Sequence, residues 1–219
     1  MVYMRKTKTI FIDFNGYDVV LNFKPNAKNI RLKVSKDGKV SVSLPYYYTQ
    51  KMAVESLSLY EHWIVKTCNK ILSTQLKDDE FAYLGKIYKL KFDESVNSVK
   101  FEDGIINAAS QKELEKFQKT KAREIFTEFI TKFSPLINKP IKRISVRKMQ
   151  TRWGSCNSYK GYINLNINLL AKKPHLIEYV VLHELTHLIY PHHKSSFYKF
   201  IADIMPDFRK RELELNGRA

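Results

Sequence analysis

Apolar and polar residues alternate along much of the first hundred positions and recur every three to four residues over most of the rest. Alternation marks half-buried strands, and the longer period marks helices. "IFIDF" and "YDVVLNF" flank Asn15-Gly16, the strongest short signal for a β-hairpin. "IRLKVSK" and "KVSVSLP" flank Asp37-Gly38 in the same way, and Pro45 ends the second run. Over residues 49–74 the period changes. Met52, Val54, Leu57, Leu59, Trp63, Ile64, Cys68, Ile71 and Leu72 predict one helix with a wide apolar face, capped by Thr49. Two more hairpins are predicted, about Gly85 in "FAYLGKIYKLKF" and at Asp103-Gly104 in "VKFEDGIINAA".

Helical spacing returns over 111–133, where Leu114, Phe117, Ala122, Ile125, Phe126, Phe129, Ile130 and Phe133 line one side. "SPLINKP" is expected to break that helix. "IKRISVRKM" and "GYINLNINLL" read as strands, and residues 174–190 as a helix that admits Pro174 in its first turn. "KSSFYKFIADIMPDF" predicts another helix, followed by a short basic one. The pattern divides the chain near residue 110. Residues 1–110 form a β-hairpin-rich portion with one helix, and residues 111–219 form an α+β portion.

With 219 residues and 44% apolar content, the chain can bury a real core. No apolar run approaches the length of a membrane span, and no partner membrane is expected. The basic start "MVYMRKTKTIFIDF" lacks the apolar stretch of a signal peptide. Cys68 and Cys156 are the only cysteines, too few for a disulfide framework. The expected location is therefore the cytoplasm. A net charge of +16 attracts polyanions, among them DNA. Arg143, Arg147, Lys148 and Arg152 form a basic run. On a strand Arg143, Ser145, Arg147 and Met149 share a side, a ridge that could face phosphates, and Arg143, Arg147 and Lys148 are candidate nucleic-acid contacts.

One stretch changes the picture. "VLHELTHLIYPHHKSSF" holds four of the six histidines, inside a run that otherwise reads as core. His183 and His187 stand four apart, which on a helix puts both imidazoles on one side, about 6 Å apart along the axis. Two such nitrogens can bind one Zn²⁺. Glu184 sits about 100° around the helix, where it can serve as general base to water on that ion. The helix is apolar nearly all round and so is predicted to be buried. Burying two histidines and a glutamate there is costly unless something satisfies them, and a divalent cation does so.

A catalytic metal site needs a third protein ligand. Pro191 disfavours the helical region at Tyr190, so the chain should turn there and offer His192 and His193. His193 suits a turn that folds back, and His192 suits a tighter one. Metzincins share the spacing, but the glycine they use in this turn is replaced by Tyr190.

"RWGSCNSYKGYINLNINLL", "IEYVVLHELTHL", "HHKSSFY" and "MPDF" together resemble the YgjP-like family of zinc metallopeptidases, whose relatives include SprT-like and WLM domains. The resemblance covers most of the chain. It implies a zincin-like, gluzincin-type catalytic domain with its HExxH helix packed on a small sheet. It also implies one Zn²⁺ per chain on His183, His187 and His193, with Glu184 as catalytic base. His192 before the third ligand, and Tyr198 after Phe197, depart from the family pattern without touching the ligands. Peptide or protein substrates are implied. Some members carry a nucleotide pyrophosphatase label, and the SprT-like and WLM relatives process proteins on DNA, which gives two alternative activities.

Around the site, "GYINLNINLL" is the expected edge strand along which a substrate would add. Tyr190, His192, Arg152 and Asn166 are candidate substrate or oxyanion contacts. Cys156 reads as a small buried hydrophobe. Glu178 and Asp203 are candidates to orient a metal-bound histidine.

Overall fold

The computed structural model describes residues 6–35, 37–73 and 75–217, apart from the side chains of residues 72 and 73. The start of the basic N-terminal stretch and the Leu72 position of the predicted apolar face lie outside the described residues. The chain divides into two compact units, Met1–Gln75 and Leu76–Ala219. The expected division near residue 110 falls instead inside the second unit, between a strand and the helix that follows it.

The first unit is a four-stranded sheet with two helices on one face. Strands β1 (Lys8–Phe14) and β2 (Tyr17–Lys24) form the predicted hairpin. Its turn holds both Asn15 and Gly16 at positive φ, 51° and 81°, as a two-residue turn of this hand requires. Strands β3 (Arg31–Val34) and β4 (Val40–Pro45) also pair antiparallel. Their connection runs from Val34 to Val40, longer than the two-residue turn suggested by Asp37-Gly38. β4 pairs parallel with β2, giving the order β1-β2-β4-β3.

Thr49 caps α1 (Gln50–Leu59), its hydroxyl accepting from the Met52 N–H at 3.2 Å. The predicted single helix breaks at Tyr60, and α2 (Glu61–Ser73) follows. Among the described residues of the two helices, Ala53, Leu57, Ile64 and Cys68 join the core formed with Val19, Leu21, Phe23, Val40, Val42 and Leu44 of the sheet. Met52, Val54, Leu59 and Trp63 are exposed. A single sheet face takes only one stripe of each helix, so the wide face was an overestimate.

The second unit opens with the order β5-β6-β8-β7, built from β5 (Glu80–Tyr83), β6 (Lys86–Phe92), β7 (Lys100–Glu102) and β8 (Ile105–Ala108). Both predicted hairpins are present. The β5–β6 tip also anchors the chain ahead of the site. The Leu84 N–H donates to the Leu170 carbonyl at 2.8 Å, and the Gly85 N–H donates to Ala171 at 3.3 Å. Gly85 combines φ +83° with a backbone that would put a Cβ 2.4 Å from Lys173 Cγ, so no larger residue fits.

Helix α3 (Gln111–Ile137) runs one turn further than "SPLINKP" suggested. Pro135 lacks the N–H that would bond the Thr131 carbonyl, and the Ser134 hydroxyl donates to that carbonyl instead, at 3.2 Å. The helix ends on Asn138 in the left-handed region. Ala122, Phe126, Ile130, Phe133 and Ile137 face the main core.

A three-stranded sheet follows, of β9 (Arg143–Arg147), β10 (Gly154–Asn157) and β11 (Tyr162–Asn166), in the order β10-β11-β9. "GYINLNINLL" is therefore not an edge. β11 is the middle strand, antiparallel to β10 and parallel to β9, and residues Ile167–Ala171 turn away as a 3-10 helix. Sequence alternation cannot tell a central strand from an edge, because pairing partners lie elsewhere in the chain. Ile163 and Leu165 face the core as expected.

Helix α4 (Pro174–Thr186) is buried around most of its circumference. It is followed by α5 (Ser195–Ile204) and α6 (Phe208–Leu215). Glu178 of α4 is bound by Arg211 at 2.5 Å and Lys132 at 2.6 Å, and His175 and Lys173 both meet Glu214 at 2.9 Å. These pairs tie the first turns of α4 to α3 and α6. Glu178 is thus engaged away from the histidines, and Asp203 is exposed. Among the described residues no helix is long and apolar enough to cross a membrane.

Candidate metal centre

Helix α4 tightens where the expected helix would have run on to Tyr190. Leu188 and Ile189 donate to carbonyls three residues back, and Tyr190 donates to Thr186 at 2.9 Å. Pro191, with no N–H, then turns the chain. His187 caps the helix end with helical dihedrals, φ −63° and ψ −19°, so it keeps its register with His183. Lys194 donates to the His192 carbonyl at 2.8 Å, and this turn swings His193 back over the helix end.

The result is a cluster. One ring nitrogen from each of His183, His187 and His193 lies within 4.8 Å of the others. His193 Nε2 stands 3.1 Å from His183 Nε2. His187 Nδ1 lies 3.2 Å from the Tyr190 carbonyl, which can only accept, so Nδ1–H donates and Nε2 keeps the free lone pair. The exposed His192 is outside the cluster.

Phe197, fully buried on α5, underlies all three rings, with centroids 5.0 Å from His183, 4.6 Å from His187 and 4.7 Å from His193. The resemblance includes Phe197 in its pattern, but its place in the predicted "KSSFYKFIADIMPDF" helix does not show that it packs beneath the three imidazoles.

Burial drives the His183 pKa down to about 3, helped by the other two imidazoles, and burial also lowers that of His187. Both rings are therefore neutral near pH 7, the form that donates a lone pair. Tetrahedral zinc ligands at about 2.0–2.1 Å stand roughly 3.3 Å apart, close to the 3.1 Å between the His183 and His193 nitrogens. The donor set fits a divalent cation.

Glu184 is 6% exposed, and burial pushes its carboxyl up to about 8 while the Arg152 charge pulls it down. It lines a cleft of about 370 Å³ with all three clustered histidines, Arg152, Gly154, Ser155 and Cys156. Burial, and then the Glu184 charge, raise the Cys156 thiol to about 12, so it stays protonated.

Asn166, expected to touch substrate, has another task. Its Oδ1 accepts from the Met149 and Asn168 N–H groups, at 3.3 and 3.1 Å. Its Nδ2 donates to the Met149 and Arg152 carbonyls, at 2.9 and 2.7 Å. The side chain is spent on backbone and clips the 149–152 loop, which carries Arg152 to the cleft. The Tyr190 ring packs on Phe200, and Tyr190 serves the site through its carbonyl. Neither Tyr190 nor His192 lines the cleft.

The basic ridge stands apart. Arg143 stacks over the Tyr162 ring at 4.1 Å, and Arg147 and Lys148 border a separate cavity of about 460 Å³ that shares no residue with the cleft.

The family model described as "YgjP-like, metallopeptidase domain" matches residues 28–218. No curated protein matches the chain. Two solved structures are similar over part of it. The metallopeptidase zymogen abylysin of Pyrococcus abyssi is 18% identical, with a TM-score of 0.37, over 42% of this chain and 96% of that one. The metallopeptidase zymogen jannalysin of Methanocaldococcus jannaschii is 22% identical, also with a TM-score of 0.37, over 44% of this chain and 94% of that one.

Proposed function

The chain belongs to the YgjP-like metallopeptidase family, and on that premise we propose that it is a zinc-dependent peptidase whose catalytic unit is Leu76–Ala219. The observation that carries this reading is the convergence of three imidazoles beside the buried carboxylate of Glu184, all facing one cleft.

His183, His187 and His193 would hold the ion, as a zincin-like site. Zinc, when bound, supplies positive charge that polarises a carbonyl and acidifies water. The Glu184 carboxylate, lining the cleft beside the three imidazoles, would accept a proton from water and then return it to the leaving amine. Among the described residues Arg152 is the one Lys or Arg side chain lining the cleft, and it is our choice for the oxyanion contact. β10 is an edge strand that lines the same cleft through Gly154, Ser155 and Cys156, so an extended polypeptide can add to its free edge. A reducing, cytoplasmic setting suits the two free cysteines.

The test is hydrolysis of an unstructured protein such as casein by zinc-loaded protein. Cleavage is expected, it is expected to stop on chelation, and Glu184→Gln is expected to remove it. Cleavage that survives both treatments, or release of pyrophosphate from nucleoside triphosphates in place of peptide cleavage, would overturn the assignment.

A further inference from the structure

The chain has seven glycines, and six of them have positive φ, where a side chain is strained. Gly154 is the exception. It lies in β10, in extended backbone that any residue can adopt. Backbone conformation therefore does not explain a glycine there, but its neighbour does. A Cβ on Gly154 would stand 2.6 Å from Glu184 Cγ, 2.6 Å from Oε1 and 2.7 Å from the carboxyl carbon. All three nearest atoms belong to Glu184.

The geometry around that carboxylate explains why the close approach has consequences. Glu184, Gly154 and His183 line not only the cleft but also a second cavity of about 180 Å³ behind it, bounded by Trp153, Tyr179, Glu212 and Leu215. The carboxylate thus stands in a partition between two spaces. The side-chain-free backbone of β10 is what lets it lie against the strand, facing the histidines. A methyl group at Gly154 would take that position, and an open cavity is available for the displaced carboxylate.

We propose that Gly154 is a positioning residue for Glu184, and that the space left by its missing side chain is the seat of the catalytic carboxylate. The proposal rests on the reading of Glu184 as proton acceptor for its catalytic meaning, but not for its structural half.

The experiment is Gly154→Ala, alone and combined with Glu184→Ala, each in zinc-loaded protein. Thermal unfolding tests the seat. Gly154→Ala is expected to lower Tm in the otherwise unchanged protein relative to its effect once Glu184 is alanine, because contacting pairs are non-additive. The general effect of Gly→Ala on the unfolded chain is common to both backgrounds and cancels. Equal losses in both backgrounds would overturn the proposal. If the single variant fails to fold, recovery of folding in the double variant supports it, and failure of both overturns it. Kinetics test the positioning. In Gly154→Ala, kcat is expected to fall roughly 10²-fold, as for a misplacement of about 1 Å, with KM and zinc content held. Unchanged kcat, or a loss confined to KM, would overturn the catalytic half. The unfolding comparison requires no hydrolysis, so it stands even if the peptidase reading fails.

Discussion

His187 Nδ1 lies 3.2 Å from the carbonyl oxygen of Tyr190, three residues further on. That contact settles which nitrogen of His187 keeps its proton, and it is made by backbone, in the turn that Pro191 enforces. The same turn delivers His193. One short segment thus both orients the second imidazole and supplies the third.

Metal content separates His193 from its neighbour. Purified protein should carry about one zinc per chain, since three protein ligands make one site. Alanine at His183, His187 or His193 is expected to lose it, and His192→Ala to keep it. Elemental analysis with retained metal in His193→Ala would remove His193 from the ligand set.

Glu184→Gln keeps the shape of the side chain and removes its basicity. Zinc content should be unchanged, and kcat should fall by about 10²–10⁴, the usual worth of general acid–base catalysis. A kcat close to that of the unaltered enzyme would show that another group takes the proton.

The metal-free protein should carry the signature of its buried groups in its pH–stability profile. The Glu184 carboxyl titrates at about 8 when folded, against an ordinary 4.5. Between these values the folded chain holds a proton that the unfolded chain has released, so this group lowers stability as pH rises. His183 works the other way, titrating at about 3 against 6.5. Its contribution is full above pH 6.5 and is lost as pH falls toward 3. The two oppose each other between 4.5 and 6.5, leaving a plateau with a fall on either side. The slope above 6.5 should approach about 1.4 kcal/mol per pH unit at most. Denaturant melts of chelated protein measure this, and Glu184→Gln should flatten the alkaline fall and extend the acid fall up to about pH 6.5.

Asn166→Ala would leave several backbone groups of the 149–152 loop without partners. Stability should drop by roughly 2–3 kcal/mol, since each unsatisfied buried group costs about 1–3. Asn166→Asp should also destabilise, because the two donor bonds are lost. Both should reduce kcat through Arg152 with zinc retained. A variant of normal stability would show that the loop holds itself.

Arg152→Ala tests the cationic contact directly. Zinc content should be unchanged, and kcat should fall by about 10²–10³, as when one oxyanion donor is removed. Arg152→Lys should recover part of the loss by restoring charge without the forked geometry. A rise in KM alone would instead assign Arg152 to substrate binding.

Much of this protein was determined by local sequence. Asn15-Gly16, Asp103-Gly104 and the pair about Gly85 close tight hairpins because their backbones accept positive φ. The alternation of Ile163 and Leu165, and the apolar circumference of α4, fixed which faces are buried. The four-residue spacing of His183 and His187 placed both rings on one side of one helix, a consequence of helical geometry alone. Other features depended on partners distant in the chain. The Asn166 amide became a loop clip because Met149 and Arg152 come back beside it. β11 became a central strand because β9 and β10 flank it. Phe197 became the floor beneath three imidazoles, and Gly154 became the wall against Glu184. Period and propensity report how each segment faces a core, whereas the identity of what stands across that core is set only when the segments pack.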